Sequence, residues 1–186
     1  MSARLLVFGR QGQVAGALAE APSHFECVFA GRERLDLASA APDIAGLIAE
    51  LKPAAVINAA AFTAVDGAET ETQACLRLNR DAPARMAEAC SAVDIPFVHL
   101  STDYVFDGEK GAPYVETDPR APINAYGASK AAGEAALEAI AADGARQPNA
   151  ASSRALESRV SRGRRAGVGN SEDATRTTRG PRGRRA

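Results

Sequence analysis

Short apolar runs alternate along this chain with stretches of helical period. The runs are Leu5-Leu6-Val7-Phe8, Cys27-Val28-Phe29-Ala30, Ala54-Ala55-Val56-Ile57 and, after Pro96, Phe97-Val98-His99-Leu100. Each is too short for a helix, and the first three close at Gly9, Gly31 and Asn58, as buried strands do. Between them, Asp43 to Leu51 places Ile44, Leu47, Ile48 and Leu51 on one helical face and ends before Pro53. Glu69 to Leu78 and Asn79 to Val93 read as two further helices, with Pro83 in the first turn of the second, where proline is tolerated. Ala125 to Ala142 is rich in alanine, free of proline and stopped by Asp143-Gly144. Strand and helix in alternation predict an α/β fold with a doubly wound parallel sheet. The next element in such a fold is another strand. None follows, so the sheet is expected to be incomplete at its C-terminal end.

Composition divides the chain at the same place. Residues 1–145 carry 11 Lys+Arg and 20 Asp+Glu, whereas residues 146–186 carry 11 Arg, no Lys and 3 acids. The net charge of −1 therefore conceals an acidic body and a basic tail. The tail has no aromatic residue, no isoleucine and Leu156 as its one leucine, too little to bury a core, and is expected to be disordered. Domain boundaries follow at 1–145 and 146–186. A nucleic-acid arm is one reading of the tail, but arginines with no interleaved aromatics on an acidic body argue against it. Arginine without lysine among Gly, Ala, Pro and Ser is also what a GC-rich gene yields when read out of frame, and that reading is preferred. Cys27, Cys75 and Cys90 lack paired or metal-type spacing and fall in or beside apolar segments, so reduced, packed thiols are expected. No signal-peptide layout and no membrane-length apolar run is present. A cytoplasmic protein that binds neither membrane nor nucleic acid is the expectation.

Two stretches carry chemistry. Gly9-Arg10-Gln11-Gly12-Gln13-Val14-Ala15 follows the first strand and opens a helix. Gly9 permits the tight turn, Gly12 lets a pyrophosphate approach the backbone, and Ala15 lets the helix pack closely. The first amides of the helix then face the phosphates. This is a Rossmann-like nucleotide turn, although a plain strand–turn–helix connection gives a similar pattern. After the second strand an acid would serve a free ribose 2′-hydroxyl, and an arginine a 2′-phosphate. Arg32, with Arg34 nearby, therefore points to NADPH, with NADH the alternative cofactor; solvated surface charge is the bland reading of both arginines. Ala59-Ala60-Ala61 leaves a smooth backbone for a flat ring, or is merely small-residue packing. The second stretch places Thr102 just past the fourth strand and Tyr126 one helical turn from Lys130. A lysine ammonium beside a phenol favours the phenolate, which suits a tyrosine to proton transfer. Thr102, Tyr126 and Lys130 are the expected catalytic set. A buried tyrosine with a solvated lysine is the structural alternative.

Four motifs together resemble the dTDP-4-dehydrorhamnose reductases, a branch of the extended short-chain dehydrogenases. They are Gly9-x-x-Gly12-Gln13-Val14, the run Asn58 to Asp66 (NAAAFTAVD), the run Ser101 to Gly108 (STDYVFDG), and Tyr126-Gly127-x-x-Lys130. The likeness spans about residues 4–145. It implies dinucleotide contacts from Gly12, Gln13, Val14, Arg32, Asp36, Leu37, Ala61, Phe62, Thr63 and Lys130, in addition to Gly9. It implies substrate contacts from Thr102 and Asp103, with Tyr126 as proton donor. The implied reaction is NAD(P)H-dependent reduction of the C4 ketone of dTDP-4-dehydro-L-rhamnose to dTDP-L-rhamnose, an oxidoreductase step of dTDP-rhamnose biosynthesis. Some members carry a glutamate used for magnesium-linked dimerisation. This chain has Ala17 there, which speaks against that metal site and leaves a homodimer to other contacts. Members also continue past the Tyr-Lys helix into more strands and a substrate lobe, which the tail replaces, so impaired activity is expected. A second reading is a dinucleotide-binding protein without catalysis, resembling the regulatory subunit of methionine adenosyltransferase. Retention of Thr102, Tyr126 and Lys130 together favours the enzyme.

Overall fold

The computed structural model describes residues 3–21 and 24–144. The Arg-rich segment 146–186, with its expected disorder, lies outside the described residues. Four strands, β1 (Arg4–Phe8), β2 (Glu26–Ala30), β3 (Ala55–Asn58) and β4 (Phe97–His99), form one parallel sheet in the order β2-β1-β3-β4. Helix α1 (Gln13–Glu20) joins β1 to β2, and α2 (Ile44–Leu51) joins β2 to β3. The chain moves outward on one side of β1 and then returns to its other side. Right-handed crossovers of opposite direction put α1 and α2 on opposite faces. The direction of winding reverses between β1 and β3, and this opens a crevice at their carboxyl ends.

Strand alternation fills both faces. Leu6, Phe8 and Val56 pack with Ile44, Leu47 and Ile48 of α2 and with Met86 and Cys90 of a later helix. On the opposite face Val7 pairs in register with Ile57, and Ile57 with Val98. Cover thins along that row: Val7 is buried, Ile57 is half-buried, and Val98 is 39% exposed. Helix α2 begins where Asp43 accepts a hydrogen bond from the Gly46 amide at 2.9 Å, a cap contributing about 1 kcal/mol. Cys27, Cys75 and Cys90 are free thiols.

The region expected as two helices is instead one winding path. After α3 (Val65–Thr70) the chain runs through α4 (Thr72–Leu76), a π-helical turn (Arg77–Asp81) and α5 (Ala82–Ala92). The break expected between Leu78 and Asn79 is replaced by this wider turn. Its cause is local: Pro83 has no N–H to offer the carbonyl of Asn79 four residues earlier, so an α-helical bond is lost there. Helix α6 (Ala125–Gly144) uses that gap. A Cβ built on Gly133 would overlap the Asn79 carbonyl oxygen, so only glycine lets the two backbones come this close. Gly127 stands in the same relation to the carbonyl of Tyr104. Helix α6 starts at Ala125 because Asn124 Oδ1 accepts from the Gly127 amide at 2.7 Å and Glu69 of α3 accepts from the Ala125 amide at 2.8 Å.

Two glycine substitutions should therefore act in opposite directions. Gly133→Ala forces the Cβ into the π turn and should destabilise by about 1–3 kcal/mol, the range of core overpacking. Gly16→Ala meets nothing within 4 Å on α1 and should be neutral or stabilising by about 0.5–1 kcal/mol. Urea unfolding midpoints of the two variants test the pair, and equal effects would contradict this packing.

Candidate active site

Strand ends β1, β3 and β4 deliver the site residues to one rim of the sheet. Gly9 leaves β1 at φ +101°, a conformation that L side chains rarely adopt. Its amide donates to Ala30 at 2.9 Å, and Ala59 donates to Phe8 at 2.8 Å, so the two strand ends are stitched across the crevice. A Cβ on Gly9 would stand 3.1 Å from the Ala59 and Ala60 backbone. Gly9 is therefore needed twice, for its dihedral and for its proximity to Ala59. Gly12 is the N-cap of α1 and has no side-chain cap. A Cβ there would meet only the Ala59 oxygen at 3.9 Å, so space remains above the first amides of the helix. Gly12, Gln13 and Val14 are exposed, while Ala15 is buried under the helix.

The positions after β2 divide. Arg34 is tied to Glu50 at 2.9 Å, and Arg10 to Glu33 at 3.2 Å. Arg32 is 81% exposed and reaches Asp36 only at 4.0 Å. Arg32 is the uncommitted cation here. Asp36 also accepts from the Ala38 amide at 3.0 Å, and Leu37 packs partly against the core, so Leu37 has a structural task of its own.

Sequence reasoning missed the clamp that holds the segment after β3. Asn79, in the π turn, accepts from the Phe62 amide at 2.9 Å and donates to the Phe62 carbonyl at 3.0 Å. The same carboxamide donates to Ser129 Oγ on α6 at 2.9 Å, and Ser129 donates to the Tyr126 carbonyl at 2.6 Å. Cys75 Sγ donates to Ser129 Oγ at 3.1 Å. Asn79, Ser129 and Cys75 are all buried. One side chain thus fixes Ala61-Phe62-Thr63 against the helix that carries Tyr126 and Lys130. The signal available in sequence was an asparagine four residues before a helical proline.

Thr102 ends the path out of β4. Its hydroxyl oxygen accepts from the Tyr104 amide at 3.3 Å and its proton goes to Asp103 at 3.1 Å, opening a 3₁₀ turn over Asp103–Val105. Tyr126 meets the Tyr104 ring edge-on, with centroids 5.6 Å apart. Lys130 is 2% exposed. Its amine does not turn to Tyr126: it donates to the Leu100 carbonyl at 2.5 Å and lies 3.3 Å from His99 Nε2. Burial pushes the Lys130 amine below its usual pKa, against an upward pull from Glu134 and Cys75. Burial chiefly holds His99 down to about 4, so the imidazole is neutral. The structure therefore brings Thr102, Tyr126 and Lys130 to one end of the sheet, with the amine engaged on the strand side.

Beside Thr102 lies an open cleft of about 560 Å³, lined among others by Phe106, Tyr114, Arg120, Glu134 and Glu138. The loop framing it is ordered by polar contacts: Tyr114 donates to Asp107 at 2.6 Å and stacks on Phe106 at 4.3 Å. Asp118 pairs with Lys110 at 2.5 Å. Both carboxyls are held below their usual range, Asp107 chiefly by the Tyr114 hydrogen bond and Asp118 chiefly by that from Lys110. Arg120 bridges Glu134 and Glu138 at 3.0 and 2.7 Å. Among the described residues no group of three or more His, Cys, Asp or Glu is placed to hold a metal ion. No described helix is long and apolar enough to cross a membrane.

A family model described as the RmlD substrate binding domain matches residues 3–146. The dTDP-4-dehydrorhamnose reductase of Burkholderia thailandensis is 44% identical over 142 residues, which is 75% of this chain and 47% of that protein. That of Sinorhizobium fredii is 44% identical over 135 residues, 72% of this chain and 45% of the relative. Among solved structures, the Bacillus anthracis dTDP-4-dehydrorhamnose reductase in complex with NADP superposes with a TM-score of 0.71 at 32% identity, covering 75% of this chain and 50% of that one. The Clostridium acetobutylicum reductase gives 0.69 at 33% identity, with 74% and 49% covered. The chain spans about half the length of the relatives it matches. A glycine turn at β1, a Tyr126–Lys130 helix at the same rim and a family match over residues 3–146 agree, and the chain belongs to the RmlD substrate-binding-domain family.

Proposed function

We propose that this chain carries the dinucleotide side, and the proton-transfer residues, of an NADPH-dependent dTDP-4-dehydrorhamnose reductase. The observation that carries this reading is the convergence of the Gly9 turn, the clamped Ala61–Thr63 segment and the Thr102–Tyr126–Lys130 set on one sheet rim. The residues present fit a dinucleotide. The Gly12 cap leaves room over the open amides of α1 for a pyrophosphate. Arg32 is free to meet a 2′-phosphate, and Ala59–Ala61 offers a flat backbone to a ring. Gly12, Gln13, Val14, Arg32, Asp36, Leu37, Ala61, Phe62, Thr63 and Lys130 would line the cofactor, with Gly9 shaping the turn. When bound, the nicotinamide supplies the hydride. Thr102 and Asp103 would bind the sugar beside it, and the Tyr126 hydroxyl would donate the proton to the oxygen formed at C4.

The relatives' second half has no counterpart among the described residues, and remote contacts to the nucleotide of a dTDP-sugar are what hold the reacting carbon in place. The 186-residue chain alone is therefore expected to bind nucleotide with little turnover, and a chain extended through the full length of its relatives to turn over.

Arg32→Ala should weaken NADPH binding by tenfold or more, about 1.4 kcal/mol or above, and leave NADH binding nearly unchanged. Titration of cofactor fluorescence checks this, and equal losses for both cofactors would remove the assignment. In the extended chain, Tyr126→Phe should lower turnover with dTDP-4-dehydrorhamnose by about a hundredfold or more, the scale of general acid catalysis, with NADPH affinity retained. Near-normal turnover of that variant would mean that another group is the acid.

A further inference from the structure

Behind Lys130 stands a row of buried polar groups whose hydrogen-bond direction is fixed from one end. The Ala60 amide donates to Asn58 Oδ1 at 3.0 Å. That contact settles the carboxamide's orientation, because the flipped form would set NH₂ against N–H. Asn58 therefore presents its Nδ2 donor to His99 Nδ1, 3.1 Å away. A ring nitrogen that accepts carries no proton, so the neutral imidazole holds its proton on Nε2. Nε2 faces the Lys130 amine at 3.3 Å. An ammonium has three donors and no acceptor, so a charged Lys130 in this position would set N–H against N–H. A neutral amine accepts from Nε2–H through its lone pair and donates to the Leu100 carbonyl. Only that form satisfies every group in the row.

We propose that Asn58 and His99 are positioning residues for Lys130: the hydrogen-bond direction imposed by Asn58 passes through the His99 ring and holds the Lys130 amine as a neutral acceptor on the strand side of the site. Glu134 and Cys75 pull the amine toward its charged form, but both are engaged elsewhere. Glu134, one turn further along α6, is already engaged by Arg120 at 3.0 Å and by the Ser101 hydroxyl. From α4 the Cys75 thiol is spent on Ser129. Tyr126, on the same face of α6, is packed edge-on to Tyr104. Burial favours the uncharged amine. A neutral amine gives no electrostatic support to a Tyr126 phenolate. Support for proton transfer then arises only when acceptors outside the row draw the amine off His99 as a cation. That consequence rests on the reductase reading, whereas the row itself does not.

Nuclear magnetic resonance of the isotopically labelled 186-residue chain tests the row without nucleotide or substrate, so its outcome is independent of cofactor binding. The chain has two histidines, His24 and His99, and three lysines, Lys52, Lys110 and Lys130, so the signals are few. Two-bond proton–nitrogen correlations should show His99 as the Nε2–H tautomer at pH 7. Lys130 should be uncharged at pH 7, with its midpoint below that pH. An Nδ1–H ring, an imidazolium at pH 7, or a Lys130 ammonium at pH 7 would each overturn the proposal in the unsubstituted chain. Asn58→Asp replaces the donor by an acceptor, so the ring proton should move to Nδ1 and the Lys130 midpoint should rise by a pH unit or more. In the His99→Phe background the same Asn58→Asp change should move Lys130 far less. An equal shift in both backgrounds would show that the carboxylate acts through space rather than through the ring, and the proposal would fall.

Discussion

The site depends on one close approach, that of helix α6 to the π turn. Two glycines set it: Gly133 lies against the Asn79 carbonyl and Gly127 against the Tyr104 carbonyl. Ser129 and Lys130 fall between these points, and Tyr126 stands immediately before Gly127. Any Cβ at either glycine would push α6 outward and carry all three with it. The approach also places Ser129 within reach of Asn79, and Asn79 within reach of Phe62. A backbone contact on one side of the sheet therefore registers the segment after β3 against the helix after β4. Buried polar networks are costly when half-satisfied and rigid when complete. In this one both ends of the Asn79 carboxamide are used.

Much of the fold was legible because the relevant signals are local. The apolar runs marked all four strands to within a residue or two at each end, and glycine or asparagine marked where the first three close. Asp43 before Ile44, and Asn124 before Ala125, are caps that a sequence displays directly. The path from α4 to α5 was misread for a physical reason. Pro83 does stand in the first turn of α5, as expected, but that helix starts at Ala82 rather than Asn79. The chain instead keeps winding and absorbs the missing donor in a π turn, because α6 occupies the place of the lost bond. Pro83 is a local mark of that outcome, but the helix fifty residues away that fills the gap is not.

The site divides along the same line. The placement of Gly9, Gly12, Ala15, Thr102, Tyr126 and Lys130 at strand or helix ends was legible, because each has a chemical type suited to such a place. Arg32 and Arg34 were not separable in sequence, since only the structure pairs Arg34 with Glu50 and leaves Arg32 uncommitted. The direction of the Lys130 amine was not legible either. A spacing of four puts Tyr126 and Lys130 on one face of α6, but a lysine stem reaches far enough to choose among several partners. Here it turns to the Leu100 carbonyl and His99. His99 read simply as part of an apolar strand, and its polar edge matters only because Asn58, from the neighbouring strand, stands in register with it.

The distribution of burial sets the Gly9 turn apart from the outer strand. The Gly9 turn and its contact with Ala59 come from β1 and β3, whose core packs on α2 and α5, although the segment after β3 is held by Asn79 and α6. The row Val7, Ile57, Val98 then loses cover stepwise away from α1, and Val98 with Leu100 presents apolar surface at the outer strand. A parallel sheet is stable when both faces are covered, and among the described residues the thinnest cover is at β4 and not at the glycine turn. Lys130, Thr102 and the cleft beside Thr102 all border β4, whereas Gly9, Gly12 and Arg32 lie across the sheet from it. Loss of order at the outer strand would therefore reach Thr102, Tyr126 and Lys130 before the Gly9 turn. Under the proposed function, nucleotide binding would then depend less on the outer strand than proton transfer does.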